Sequence, residues 1–291
     1  MMKFTGNKTM KLLYFMDNGN AFGGAVNTLL LQAILMKKHG HDVIVCFSST
    51  GLQGIINSYR KMCTENGILL FQLPYEISSC TENINVVSML EDYDIIKNCI
   101  QQINPDVIHS VQINYTVELV SRELSIPHIM NIYPSLPAFF SIQYMYVFPR
   151  YMLCDSYYWA KTWQNALGLK ADCIRTVVDD FKFKESFSSH LVTRFISVGN
   201  VCDGKNQLEV IKAVHSLLLS GYEALLDIYG YESGPYALKC KNYVRDNNLD
   251  RNITFHGFCD NMETVYKNSD VAIIGSVRES YPNVVSESLA N

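Results

Sequence analysis

Two glutamates near the end of the chain, Glu279 and Glu287, stand eight residues apart in the stretch RESYPNVVSESLAN, residues 278–291. Pro282 and Asn283 lie between them, and the apolar run SDVAIIGS, 269–276, comes just before. Ionised carboxylates accept hydrogen bonds only, so such a pair can hold the hydroxyls of a polyol. With Glu279 in a loop after a strand, Glu287 falls about two turns further along the following helix. The backbone N–H groups of residues 282–285 then face the same place, and the N-terminus of a helix is suited to phosphate. A lysine, Lys205, closes a second loop, SVGNVCDGK, 197–205. Lysine and amides for phosphate, with carboxylates for sugar or ribose hydroxyls, suit a phosphorylated sugar. The glutamate pair alone is weak, because a solvated helix face gives the same spacing.

Short apolar strands alternating with amphipathic helices would position these groups. The pattern predicts strands at 11–17, 41–48, 67–75, 105–111, 126–133, 151–156 and 171–178, with helices at 25–40, near 85–103, at 115–124 and at 157–168. Gly40 stops the first of these helices. The polar stretch 179–192 reads as a linker between a first domain, 1–178, and a second, 193–291. The alternation then restarts. Strands are expected at 194–199, 224–230, 252–258 and 270–276, helices at 205–222, 234–249 and 261–268, and a closing helix over the final residues. Continuous apolar strands joined by helices mean parallel sheets covered on both faces. In such a sheet ligands bind beyond the carboxyl ends of the strands. The segments YGYESGP (229–235), HGF (256–258) and GSVRESYPN (275–283) all fall there, with 197–205.

Composition narrows the function. A net charge of −4 without a basic block argues against a nucleic-acid binder. The nine cysteines are scattered, with no CxxC and no zinc spacing, so they read as buried, reduced thiols of a cytoplasmic protein. No apolar run is long enough to span a bilayer.

Taken together, these segments resemble the family 4 retaining glycosyltransferases of the GT-B fold, glycosyl transferases group 1. ESYPNVVSE (279–287) matches that family's Glu-x7-Glu motif, and SVGNVCDGKNQLEVIKAV resembles its Val-Gly-Arg…Lys-Gly segment. DIYGYESGP and ITFHGF match its Gly-x-Gly-Pro and Phe-x-Gly segments. In the first half, NGNAFGGAVNTLLLQAILMKKHGHDVIV resembles its Gly-Gly loop, first helix and second strand. PDVIHSV and CDSYYWAKTW…VVDDFKF continue the match in order. The resemblance implies two Rossmann-like, doubly wound α/β domains facing a cleft. The family has a further strand and helices after the residue matching Asn291, so the chain reads as truncated and its second domain as incomplete.

The resemblance also implies an activity. A sugar would pass from a nucleotide-diphosphate sugar to a glycan or lipid-linked acceptor, with retention of anomeric configuration, as in the synthesis of cell-surface polysaccharide. Lys205 would stabilise the departing diphosphate and Glu279 would contact the transferred sugar, these two being the catalytic candidates. Donor contacts would come from Gly23, Gly24, Gly199, Asn200, Phe258, Tyr281, Pro282, Asn283, Val284 and Glu287, the last binding the ribose. His109 and Tyr133 are acceptor candidates. No metal or other cofactor is implied. The aromatic, proline-rich stretch 131–150 reads as a covered loop, an acceptor loop, or an edge touching the inner membrane face. Three positions depart from the family pattern. Asn200 stands for its phosphate-binding arginine, Tyr133 for a histidine, and Gly275 for a proline. A catalytically inactive fragment or pseudoenzyme of the same family and a GT-B-like sugar-nucleotide epimerase stay as alternatives.

Overall fold

A computed structural model describes residues 8–16, 24–75, 91–112, 114–132, 147–175, 191–259, 261–277 and 279–290. The chain divides into two compact units, Met1–Val177 and Val178–Asn291. Gly23, Tyr133, most of the 131–150 stretch and nearly all of the 179–192 linker lie outside the described residues.

The first unit is a seven-stranded sheet. Its strands are β1 (Lys11–Phe15), β2 (Asp42–Ser48), β3 (Leu69–Leu73), β4 (Val107–Val111), β5 (His128–Asn131), β6 (Tyr151–Cys154) and β7 (Ala171–Cys173). They run in the order β3-β2-β1-β4-β5-β6-β7, and every pairing is parallel. The order reverses direction between β1 and β4. Alternate residues of β1 feed the two sides of the sheet. Leu12, Tyr14 and Met16 join one buried cluster with Leu29 and Leu30, whereas Leu13 and Phe15 join another with Ile96, Ile100 and Val117.

The helices of this unit are α1 (Gly24–Lys38), α2 (Gln53–Glu65), α3 (Tyr93–Ile103), α4 (Tyr115–Glu123) and α5 (Tyr157–Leu167). In α1, Val26, Leu29, Leu30 and Ala33 make the buried stripe that 3.6-residue periodicity requires. Helix α2 was not anticipated from the sequence. It buries only Ile56, Tyr59 and Cys63, a stripe too thin to stand out among its polar neighbours. The Asn114 side chain caps α4 by accepting from the Val117 N–H at 3.1 Å. Ser156 caps α5 in the same way, through the Trp159 N–H.

The second unit is a four-stranded parallel sheet of β8 (Thr193–Val198), β9 (Ala224–Tyr229), β10 (Ile253–Gly257) and β11 (Val271–Ala272), in the order β10-β9-β8-β11. Its helices are α6 (Gln207–Leu219), α7 (Pro235–Asp246), α8 (Met262–Lys267) and α9 (Asn283–Ala290). Leu226, Ile228 and Ile253 of the sheet pack with Ile211 and Val214 of α6 and with Cys240 and Val244 of α7. The strand expected over 270–276 is cut to two residues. Ile273 still donates to the Ile196 carbonyl at 2.8 Å, but the chain then turns away to pack Gly275 against α6.

Cys46, Cys63, Cys154 and Cys240 are free and buried, as the sequence suggested, whereas Cys202 is exposed in a loop. Among the described residues no helix is long and apolar enough to cross a membrane.

Candidate functional site

In the second unit the strand order reverses between β8 and β11, and the loops leaving those two strands carry Lys205 and Glu279. Their side chains meet there, Lys205 Nζ to Glu279 Oε1 at 2.5 Å, with 36% and 24% of the side chains exposed. The groups are 74 residues apart in sequence, and the fold alone joins them.

The loop after β8 is built by backbone geometry and one buried side chain. Gly199 has φ of +139° and Asn206 of +57°, both in the half of backbone space that disfavours side chains. The Cys202 carbonyl accepts from both Lys205 N–H and Asn206 N–H at 3.0 Å, which turns the chain into α6. Lys205 therefore precedes the helix by two residues instead of opening it. Gln207, the first residue of α6, is buried and clamps the loop from within. Its Nε2 donates to the carbonyls of Asn200 at 3.0 Å and Gly199 at 3.3 Å, and its Oε1 accepts from the Cys202 N–H at 3.3 Å. Sequence reasoning passed over Gln207, because a glutamine at a helix start signals nothing until the loop folds onto it.

Three strand-end loops are stitched together. Gly199 N–H donates to Tyr229 O, Val201 N–H to Tyr231 O, and Gly230 N–H to Gly257 O, each at 2.8 Å. Gly230 is required by close approach, since a Cβ there would lie 2.2 Å from the Gly199 carbonyl oxygen. The loop after β11 joins the same assembly, with Val277 N–H donating to Gly204 O at 3.1 Å. At Gly275 a Cβ would lie 2.7 Å from Val210 Cγ2. The smallest residue thus stands where α6 presses against the loop.

Beyond the ion pair, Glu287 of α9 accepts a 2.8 Å hydrogen bond from Tyr266 of α8. Burial pushes the Tyr266 phenol far above its ordinary value, so it acts as a neutral donor that holds the carboxylate. Tyr281 and Ser286 are joined through their hydroxyls at 3.3 Å across the start of α9. The amides of 282–285 need a correction. Pro282 has no N–H, and Val285 N–H donates to Pro282 O at 3.0 Å, so neither of these two residues offers an amide at the start of α9. At the other side of the strand ends Tyr231 and Phe258 stack, ring centroids 5.1 Å apart and planes 16° from parallel. Both rings are partly exposed.

Among the first-unit candidates, Gly24 opens α1. His109 lies on β4, its ring 5.3 Å from that of Tyr14. Burial pushes the His109 imidazole down to about 3, so it is neutral at pH 7. His256 stacks on Tyr229 at 4.5 Å and pairs with Asp227 at 2.6 Å.

Comparison with known proteins agrees with this layout. Residues 179–291 match the family model described as Glycosyl transferases group 1. No curated protein matches the chain. A glycosyltransferase from Rickettsia africae ESF-5 superposes with a TM-score of 0.74 at 14% identity, over 97% of this chain and 77% of that one. Anabaena Alr3699/HepE in complex with UDP superposes at 0.72, also at 14% identity, over 97% of this chain and 78% of the other. WaaG, described as a glycosyltransferase involved in lipopolysaccharide biosynthesis, gives 0.65 at 13% identity, over 96% and 78%. These likenesses show the fold, the α/β GT-B fold of glycosyltransferases, with its parallel seven-stranded sheet and second parallel sheet.

Proposed function

We propose that this protein is a retaining glycosyltransferase that takes a hexosyl group from a nucleoside-diphosphate sugar. The observation that carries the reading is the meeting of Lys205 and Glu279 at the point where the second sheet reverses direction, within the segment that matches the glycosyltransferase family. An ion pair this exposed contributes only about 0–1 kcal/mol, so a diphosphate can take over the ammonium at little cost. Lys205 then neutralises charge developing on the leaving phosphate. Glu279, released, accepts from hydroxyls of the transferred sugar. The Val284 amide, in the first turn of α9, lies near the phosphates. Glu287, oriented by Tyr266, accepts from the ribose, and the Tyr231–Phe258 stack offers an aromatic face to the base. Asn200 brings a neutral donor where the family has an arginine, so Lys205 carries more of the phosphate charge here. The fixed charge of Lys205 serves the role a metal plays elsewhere, and the reaction is expected to proceed in EDTA. UDP is the first nucleotide to try, because Alr3699/HepE was crystallised with UDP and with UDP-glucose.

The test is calorimetric titration of the chain with UDP, GDP and ADP. One nucleotide should bind. Lys205→Ala should weaken that binding about 10- to 150-fold, the worth of a charge-assisted hydrogen bond, and Glu287→Ala should weaken it too. Binding that ignores both substitutions, or a folded chain that binds no nucleotide, would defeat the reading.

A further inference from the structure

Two cysteines face each other at the far edge of the first sheet. Cys154 ends β6 and Cys173 ends β7, and they are register partners in a parallel pairing. The Ile174 N–H donates to the Cys154 carbonyl at 2.9 Å, which holds that register. Register partners project from the same face of a sheet. Here that face lies under α5, where Cys154 packs in one cluster with Trp159, Ala160 and Trp163 and Cys173 packs against it. Neighbouring strands run about 4.7–4.9 Å apart, within the span of about 4.4–6.8 Å that a disulfide sets between Cα atoms. Among the described strands no other two cysteines are partners.

The two thiols differ in access. Both are free, but Cys154 is buried, whereas Cys173 is only partly covered on the outermost strand. Burial pushes Cys154 up to about 12. Burial raises Cys173 as well, with Arg175 pulling the other way. Both therefore rest as thiols, and the pair stays reduced until an oxidant reaches Cys173.

We infer that Cys154 and Cys173 form a reversible disulfide, a redox modification site that ties the last strand of the first unit to its neighbour. The chemistry balances with a peroxide as oxidant. The Cys173 thiolate attacks one oxygen of hydrogen peroxide, the O–O bond breaks, and hydroxide leaves a sulfenic acid behind. Cys154 then attacks that sulfur, the S–O bond breaks, and the oxygen departs as water. Two thiols and one peroxide thus give one disulfide and two waters. The sulfurs are oxidised and the peroxide oxygens reduced. Strand β7 is three residues long and pairs on one side only, and the first unit ends soon after it, at Val177. The new bond closes β6, α5 and β7 into one covalent loop, so β7 can no longer peel from the sheet.

The test is titration of the full chain with hydrogen peroxide, followed by mass mapping of unreduced peptides. The peptide holding Cys154 should appear linked to the one holding Cys173, with the loss of two hydrogen atoms, and dithiothreitol should separate them. A second readout is built in. Both tryptophans of the chain, Trp159 and Trp163, lie in the cluster around this pair, and a disulfide in contact with indole quenches its fluorescence. Fluorescence should fall on oxidation and recover on reduction. Cys173→Ser, at a partly exposed position, should melt as the parent does and abolish both the link and the fluorescence change. Recovery of Cys154 and Cys173 as free thiols or as separate sulfinic acids, linkage of either to a different cysteine, or a fluorescence loss that persists in Cys173→Ser would overturn the inference. The pair lies in the first unit, so neither result depends on the donor reading of the second.

Discussion

Replacing Gly230 with alanine should damage the second unit far more than replacing Gly221, although both glycines have positive φ. The angles are +143° at Gly230 and +84° at Gly221. Positive φ alone costs an alanine about 1–2 kcal/mol, and this falls on both variants. At Gly221 a Cβ meets nothing within 4 Å. At Gly230 it would lie 2.2 Å from the Gly199 oxygen, 2.5 Å from the Gly199 carbonyl carbon and 3.0 Å from the Asn200 nitrogen. All three are backbone atoms and cannot rotate away. Ordinary contact needs about 3.5 Å, so the two loops must part by about 1 Å. Such a displacement takes with it two or three of the 2.8 Å bonds joining residues 199, 201 and 230 to their neighbours. At about 1 kcal/mol each, the extra loss is about 2–3 kcal/mol. Urea unfolding followed by circular dichroism measures the difference between the variants, and hydrogen exchange of the 197–205 peptide locates it. Equal destabilisation by the two substitutions, with unchanged protection of that peptide, would refute the close-packing argument.

Two further outcomes concern the first unit. Glu118→Ala should destabilise the fold by about 1–3 kcal/mol in urea unfolding, since it leaves the buried His128 ring without the partner of its Nδ1, while the half-exposed Arg122 and Arg150 return to water. Acid should also weaken the unit. Burial holds both His109 and His128 below their ordinary value, so the fold favours their neutral forms. That stability is complete above about pH 6.5 and drains away as pH falls below it. With His109 at about 3, its share of the loss at pH 5 is about 2 kcal/mol. The urea midpoint should therefore fall between pH 7 and pH 5, and His109→Gln should flatten that fall.

The sequence made the strand-helix alternation legible because parallel, doubly covered strands carry continuous apolar runs, as VIVCF, residues 43–47, does in β2. It misjudged elements whose apolar signal is thin. Helix α2 turns only three residues inward, and β11 keeps two residues because Gly275 draws the chain toward Val210. The site was legible in part. Glu279, Glu287 and Lys205 stood out by motif, but no spacing rule could say that Lys205 and Glu279 would touch across 74 residues. The groups that hold the motif residues in place were silent. Gln207 and Tyr266 look like any polar helix residues until burial gives each its partner. The Ser110–His128–Glu118 chain of hydrogen bonds, at 2.9 and 2.8 Å, was equally hidden, because its members come from three separate elements.

The central position of β1 has a consequence for how the chain is made. Leu12 is paired on one side with Val43 and on the other with Val107, so β1 stays open on one edge until β4 has been made. At about 5–20 residues per second, the ribosome needs about 5–20 s to deliver β4 after β1 has emerged. Through that interval Leu12, Leu13, Tyr14 and Phe15, all buried at the end, lack their final neighbours. Without hairpins to offer local closure, the nascent chain relies on chaperones or on early α1–β2 docking to shield them.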